Sequence, residues 1–239
     1  MAAPILYHCG QRSDAWHHLH CGRPTAANFH KILTPTGRAS LQRAGYMYRL
    51  IAERLMGEHL PTRPQAAVQE SKLYWLDRGV EMEPIAAAAF TKNTGMEIVP
   101  IGFVASPDGR LGCSPDGLIQ GKAESIEIKA PAPWTQIEYL LEGPGNDYRP
   151  QVQGQLLIGQ FDAVHLWAYH PRMPHVHRVT EPDMRYRATL AQALADFVGE
   201  LDAKTLEAKE LGVFIPIEEL VRDAEQAPRG GEYGELEGA

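Results

Sequence analysis

Cysteine is scarce in this chain. There are three, Cys9, Cys21 and Cys113, in 239 residues. An odd number with no framework spacing excludes a disulfide scaffold and reads as free thiols in a reducing compartment. No apolar run approaches the length needed to span a bilayer. The start, "MAAPILYHCGQRSD", lacks the basic residues and apolar stretch of a secretory signal. No internal repeat or long low-complexity segment appears. These absences lead us to expect a cytoplasmic protein with no membrane partner. Apolar content is 44% and charged content 22%, the range of an ordinary globule that buries a core without covalent staples.

Positive charge is also in short supply, with a net charge of −7. That argues against non-specific nucleic-acid binding, but the distribution is uneven. Residues 1–64 carry eight Lys/Arg against three acids, a net of +5. Residues 181–239 carry six against fourteen, a net of −8. The asymmetry admits one basic face for a polyanion and one acidic face elsewhere; it equally admits two solvated surfaces.

Periodicity gives a coarse order of elements. "DAWHHLHCG" and "TAANFHKIL" read as short helices, the second capped by Thr25, with Phe29, Ile32 and Leu33 inward. "ASLQRAGYMYRLIAERLMG" reads as a helix with Leu41, Tyr48, Ile51, Leu55 and Met56 on its apolar side, ended by Gly57. "HLPTRPQAA" reads as a loop. A long helix is expected from about Val68 to Phe90, kinked or restarted at Pro84. "EIVPIGFVA" and "RLGCSPDGLI" read as two strands joined by a turn, and "SIEIKA" as a third. Two helices, "WTQIEYLLEG" and "YRPQVQGQLLIG", precede the strand "AVHLWAYH". An amphipathic helix begins at "MRYRATL" and ends near "LEAK". The whole reads as one α/β domain over residues 1–223 with a helical N-terminal portion. The Gly-rich acidic segment 224–239 is expected to be a disordered tail.

The chemistry concentrates in "GCSPDGLIQGKAESIEIKAP". Side chains alternate along a strand, so Glu127 and Lys129 share one face while Ile126, Ile128 and Ala130 take the other. Isoleucine belongs in a core, so the charged pair faces a cleft or solvent. If the preceding strand pairs with this one, Asp116 approaches Glu127. Two carboxylates with room for water make a hard-oxygen site suited to magnesium or manganese. A neighbouring lysine can polarise or deprotonate water, and the set suits attack on a phosphodiester. The alternative is a surface hairpin with a Glu–Lys pair. His17, His18 and His20 with Cys9 and Cys21 match no standard zinc spacing. His175 and His177 alternate on a strand and are expected to be exposed.

"SPDG" followed by "IEIKAP" resembles the PD-(D/E)XK nuclease motif. More closely, the chain resembles the phage lambda exonuclease family, the YqaJ-like viral recombinases, over roughly residues 11–210. The motifs are "DAWHHLHCGRPTAANF", "RGVEMEP", "GCSPDGL" with "IEIKAP", "YRPQVQGQLLIG" and "YHPRMP". The resemblance implies a restriction-endonuclease-like core: a mixed sheet flanked by helices. It implies that Asp116 and Glu127 bind metal with the Ile128 carbonyl, that Lys129 is catalytic, and that Glu83 borders the metal. Gln151 would lie near the scissile phosphate and Tyr148 just ahead of it. Relatives hold a terminal 5′-phosphate with an arginine four residues after a tryptophan, here Trp16, and with a serine. This chain has His20 and Ala27 there, with Arg23 and Thr25 close by as substitutes. A second metal-side aspartate has no clean match, and Asp108 sits in an apparent turn.

The implied activity is a magnesium-dependent 5′-to-3′ exonuclease on duplex DNA ends, phage- or prophage-encoded, working with a single-strand annealing protein and forming a homotrimer. With His20 in the pocket, preference for a 5′-phosphate is expected to change near the ordinary imidazole pKa of about 6.5. The alternatives are a RecB-like or Cas4-like repair nuclease, the latter disfavoured by scattered cysteines, and a non-catalytic DNA-end-binding recombination module.

Overall fold

The computed structural model describes residues 2–60 and 70–212. The loop over 59–67 lies mostly outside these residues. The helix start at Val68, the domain limit at residue 223 and the tail at 224–239 lie wholly outside them.

The centre is a mixed five-stranded sheet in the order β2-β5-β6-β7-β8. The strands are β2 (Ile98–Val99), β5 (Gly117–Ile119), β6 (Glu124–Lys129), β7 (Ala163–Ala168) and β8 (Val176–Thr180). β6 and β7 are parallel; the other pairs are antiparallel. Parallel neighbours require a crossover. Two helices supply it, α4 (Pro133–Glu142) and α5 (Arg149–Ile158). A smaller antiparallel sheet combines β1 (Ile5–Tyr7), β3 (Phe103–Ala105) and β4 (Gly112–Cys113) in the order β1-β3-β4.

The two expected strands "EIVPIGFVA" and "RLGCSPDGLI" are therefore each split. Each gives one segment to each sheet. Pro100 interrupts the first, since it has no N–H for a ladder. Ser114–Asp116 leaves the second to enter the active site.

Each face of the large sheet carries its own core. On one side Ile126, Ile128 and Trp167 pack with Ala86 and Phe90 of α3 (Glu70–Thr94). α3 runs through Pro84 as one helix. On the other side Val164 packs with α5, with α2 (Arg43–Met56), with the 3₁₀ helix Ala26–Lys31 and with α6 (Met184–Glu210). α1 (Asp14–His20) is capped by Ser13, whose Oγ accepts the Trp16 N–H. Asp183 caps α6 in the same way through the Tyr186 N–H.

Three expectations need correcting. The segment after Thr25 is 3₁₀, and Thr25 makes no side-chain cap; its Oγ1 accepts from the Asn28 amide instead. The buried side of α2 holds Tyr46, Met47, Leu50 and Ile51, while Leu41, Tyr48 and Met56 are exposed. The basic and acidic termini are not simply separate surfaces either. Arg43 of α2 pairs with Glu200 of α6 at 2.6 Å, and Arg54 with Asp202 at 2.8 Å. Part of the charge asymmetry is thus consumed inside the molecule.

Candidate active site

Alternation on β6 places Ser125, Glu127 and Lys129 on one face. Antiparallel pairing of β5 with β6 sets Gly117 opposite Ile126, so Asp116, one residue earlier, arrives opposite Glu127. The Asp116 N–H donates to the Ile126 carbonyl at 3.0 Å, and Asp116 Oδ2 accepts the Ile128 N–H at 2.5 Å. A residue in a strand directs its N–H and C=O to the same edge. The Ile128 carbonyl therefore faces the edge where Asp116 stands.

Glu127 is buried, 4% exposed. Its Oε1 accepts from Lys129 Nζ at 2.5 Å and from Gln151 Nε2 at 2.7 Å. Its Oε2 accepts from Gln155 Nε2 at 2.5 Å. Burial pushes the Asp116 carboxyl well above the usual range, and the Glu127 charge pushes it further. Burial would lower Lys129, but the charge of Glu127 and its hydrogen bond outweigh that and raise the ammonium pKa. Lys129 also lies 5.0 Å from the centre of the Tyr148 ring, and Tyr148 Oη meets Tyr139 Oη at 2.8 Å. Tyr148 is thus a neighbour of the lysine.

These groups line a cavity of about 360 Å³ together with Glu83, Trp16, His20, Arg23 and Thr25. Every side chain singled out for chemistry in the sequence borders it except Tyr148 and Ile128, which line an adjoining cavity with Glu83 and Lys129. Glu83 receives both of its hydrogen bonds from Arg12 at 3.2 Å. Asp108 lies elsewhere, exposed in the turn between β3 and β4.

The N-terminal wall of the cavity is a closed set of hydrogen bonds. Trp16 Nε1 donates to Ser114 Oγ at 3.0 Å. His20 Nδ1 lies 2.8 Å from the Trp16 carbonyl, which can only accept, so that nitrogen carries the proton. His20 Nε2 is then the acceptor for the Ser114 hydroxyl at 3.3 Å. The ring stacks on Trp16 at 3.7 Å. Burial lowers the His20 pKa to about 4, against the weaker raising effect of the Trp16 bond. The imidazole is neutral at physiological pH, and the switch near 6.5 expected from the sequence does not arise.

Arg23 is held by the carbonyls of Leu19 and Gly109 and lies over Phe103. Thr25 is buried. Arg49 lines the same cavity, paired at 3.0 Å with Glu53, whose carboxylate also accepts the Gly22 N–H at 2.9 Å. Sequence reasoning missed Gln155, Ser114, Arg49 and Glu53. Gln155 had a signal, since it lies one helical turn beyond Gln151; Arg49 and Glu53 entered only the charge count of residues 1–64.

The donor set suits a hard divalent cation. Asp116 and Glu127 are oxygen donors held side by side at a cost that a cation offsets. Among the described residues, no three His, Cys, Asp or Glu side chains converge on one point. The fit thus rests on two carboxylates and the Ile128 carbonyl, with Glu83 nearby. No helix among the described residues is long and apolar enough to cross a membrane.

The chain is similar to known proteins in family and fold. The model of the YqaJ-like viral recombinase domain matches residues 15–162. The chain is similar to the crystal structure of an alkaline exonuclease from Laribacter hongkongensis, at 28% identity and a TM-score of 0.72, covering 84% of this chain and 98% of that one. The same enzyme in complex with dAMP gives 27% and 0.73 over the same shares. A phage-related exonuclease from Haemophilus somnus 129PT shares the fold, at 11% identity and a TM-score of 0.58, over 77% of this chain and 96% of that one. No curated protein matches the chain. With its mixed sheet, its family match and its likeness to an alkaline exonuclease, the chain is a nuclease and belongs to the YqaJ-like viral recombinase family.

Proposed function

We propose that this nuclease is a magnesium-dependent exonuclease acting on duplex DNA ends in phage-type recombination. It removes mononucleotides from the 5′-terminated strand and leaves a 3′ single strand, on which a single-strand annealing protein loads. The observation that carries the reading is the meeting of Asp116, Glu127, Lys129 and Gln151 in one cavity also lined by Arg23 and Arg49. The dAMP complex of the Laribacter enzyme supports mononucleotide release.

Asp116, Glu127 and the Ile128 carbonyl would hold the cation, with Glu83 at its border; manganese is a plausible substitute on donor chemistry. When bound, a divalent cation supplies water activation and neutralisation of charge on the leaving oxygen. Lys129, kept as an ammonium by Glu127, orients the attacking water and balances its growing negative charge. Gln151 donates to Glu127 and borders the same space, where it positions the water. The cationic wall contacts backbone phosphates, so affinity falls as salt rises. A ring of three subunits would keep the duplex threaded and so give processivity.

The deciding experiment digests a linear duplex labelled separately at its 5′ and 3′ ends, with and without magnesium. Early release of the 5′ label as a mononucleotide, only with the metal, is expected. Early release of the 3′ label reverses the polarity, and cutting without metal removes the cation. Kilobase-length digestion in excess unlabelled competitor, together with a trimer by light scattering, supports the ring. A monomer halted promptly by competitor removes it.

A further inference from the structure

We infer that Gln155 is a positioning residue of the nuclease centre, fixing Glu127 through the oxygen that Lys129 and Gln151 leave untouched. The inference rests on the nuclease reading above. Gln151 and Gln155 are four residues apart on α5, so their amides leave the helix on one face. Gln151 donates to Glu127 Oε1, and Gln155 donates to Oε2.

The orientation of the Gln155 amide is not arbitrary. An ionised carboxylate only accepts, so the NH₂ end must face Glu127. The carbonyl end then needs a donor, and Ser125 Oγ provides it at 3.3 Å. Gln155 is 1% exposed and Ser125 is fully buried, so bulk water cannot replace either bond. Ser125 and Glu127 alternate on the same face of β6. One strand therefore supplies both the carboxylate and the hydroxyl that orients the amide holding it.

With donors on both oxygens, Glu127 cannot turn about its last torsion without breaking a buried bond. Such a break leaves a charged acceptor unsatisfied, which is costly away from water. Gln155 reaches no reacting atom itself and acts through Glu127.

The test compares the wild-type full chain with Gln155→Leu and Ser125→Ala. Calcium binding is read by calorimetry, without turnover. kcat and KM are read on a linear duplex with magnesium, and folding by thermal melting. Gln155→Leu should lower calcium affinity and kcat each about 10- to 100-fold, as loss of a partner behind a metal ligand does. KM for the duplex should stay within about twofold, because the DNA-facing groups are untouched. Ser125→Ala keeps the amide but frees it to turn over, and should lower both quantities a few-fold.

A folded Gln155→Leu variant with wild-type calcium affinity and kcat overturns the inference. If that variant does not fold, Ser125→Ala carries the test, and unchanged values there overturn it. An inactive wild type defeats the nuclease reading instead, so the two failures are distinguishable.

Discussion

The tetrapeptide Ser-Pro-Asp-Gly occurs twice, at 106–109 and at 114–117. The serine and aspartate side chains of the first copy bond to their own neighbours, and its Gly109 carbonyl also accepts from Arg23 Nε at 2.8 Å. Ser106 Oγ donates to Asp108 Oδ1 at 2.5 Å, the Arg110 N–H donates to that oxygen at 3.1 Å, and Gly109 N–H closes on the Ser106 carbonyl at 2.8 Å. Gly109 takes φ of 71° and turns the chain from β3 to β4. The second copy bonds instead to other elements of the fold. Ser114 is held by Trp16 and His20, Pro115 by Gln11 at 2.9 Å, and Asp116 by Ile126 and Ile128. Gly117 lies in β5, where a Cβ would come within 2.2 Å of Ile98 Cγ2. The same four residues make a turn where near neighbours take the serine and aspartate side chains, and a bend lining the cavity where α1 and β6 take those groups.

The titration of the two aspartates differs accordingly. Partial burial would raise Asp108, but the Ser106 and Arg110 bonds prevail and hold it below the usual range. Burial and Glu127 push Asp116 above it. One acid is stabilised as an ion by neighbours in sequence. The other is disfavoured as an ion by burial and by Glu127, and a counter-charge such as a metal would relieve that.

The sharpest break of the comparison is chemical. Asp116→Ala should lower kcat at least ~100-fold, as should Glu127→Ala and Lys129→Ala. Asp108→Ala should leave cleavage within about twofold. Duplex digestion on folded protein checks this, and equal losses at the two aspartates would erase the distinction.

The next effect is acid lability at the second copy. His20 binds its proton near pH 4 when folded and near ~6.5 when unfolded. Between those values the unfolded chain takes up more protons, so the contribution is complete above about pH 6.5 and declines as pH falls toward 4. It amounts to about 3 kcal/mol at most. The first copy adds nothing in that window, because Asp108, held low, loses its contribution only in stronger acid. Urea unfolding at several pH values should show a flatter slope for His20→Gln. An unchanged slope would place the lability elsewhere. Preference for a 5′-phosphate should likewise stay constant from about pH 6 to 9, where this ring keeps one charge state.

Packing gives the third test. Gly117→Ala forces a methyl into Ile98 and should cost about 2 kcal/mol. Gly109→Ala meets no neighbour and pays only for its left-handed backbone, about 1 kcal/mol. Thermal melting should rank them in that order. The smallest effect belongs to the ion pairs that tie the first turn to α6, where Arg110 and Arg54 share Asp202. Asp202→Asn should cost less than about 1 kcal/mol, and still less in high salt.

Much of the site could be read without a structure. Alternation in "IEIK" sends Glu127 and Lys129 to one face, whatever the rest of the chain does. Gln155 went unread although its spacing from Gln151 was visible, because helical spacing says which residues share a face and not which face meets the strand. The apolar side of α2 was misassigned for a related reason. Apolar residues surround that helix, and only the packing of α6 and the 3₁₀ segment selects Tyr46, Met47 and Leu50 over Tyr48 and Met56.

By itself the sequence determined most of the order of helices and strands and the facing of β6, since these depend on local period, and a family resemblance pointed to Asp116, Glu127 and Lys129. The tertiary structure decided what surrounds the second Ser-Pro-Asp-Gly, setting Ser114 against Trp16 and His20 and bringing Gln151 and Gln155 to Glu127. It also decided that His20 would be neutral and that the charged termini would pair through α2 and α6. Burial, shared hydrogen bonds and ion pairs are properties of groups brought together from distant positions, and no window of sequence contains both partners.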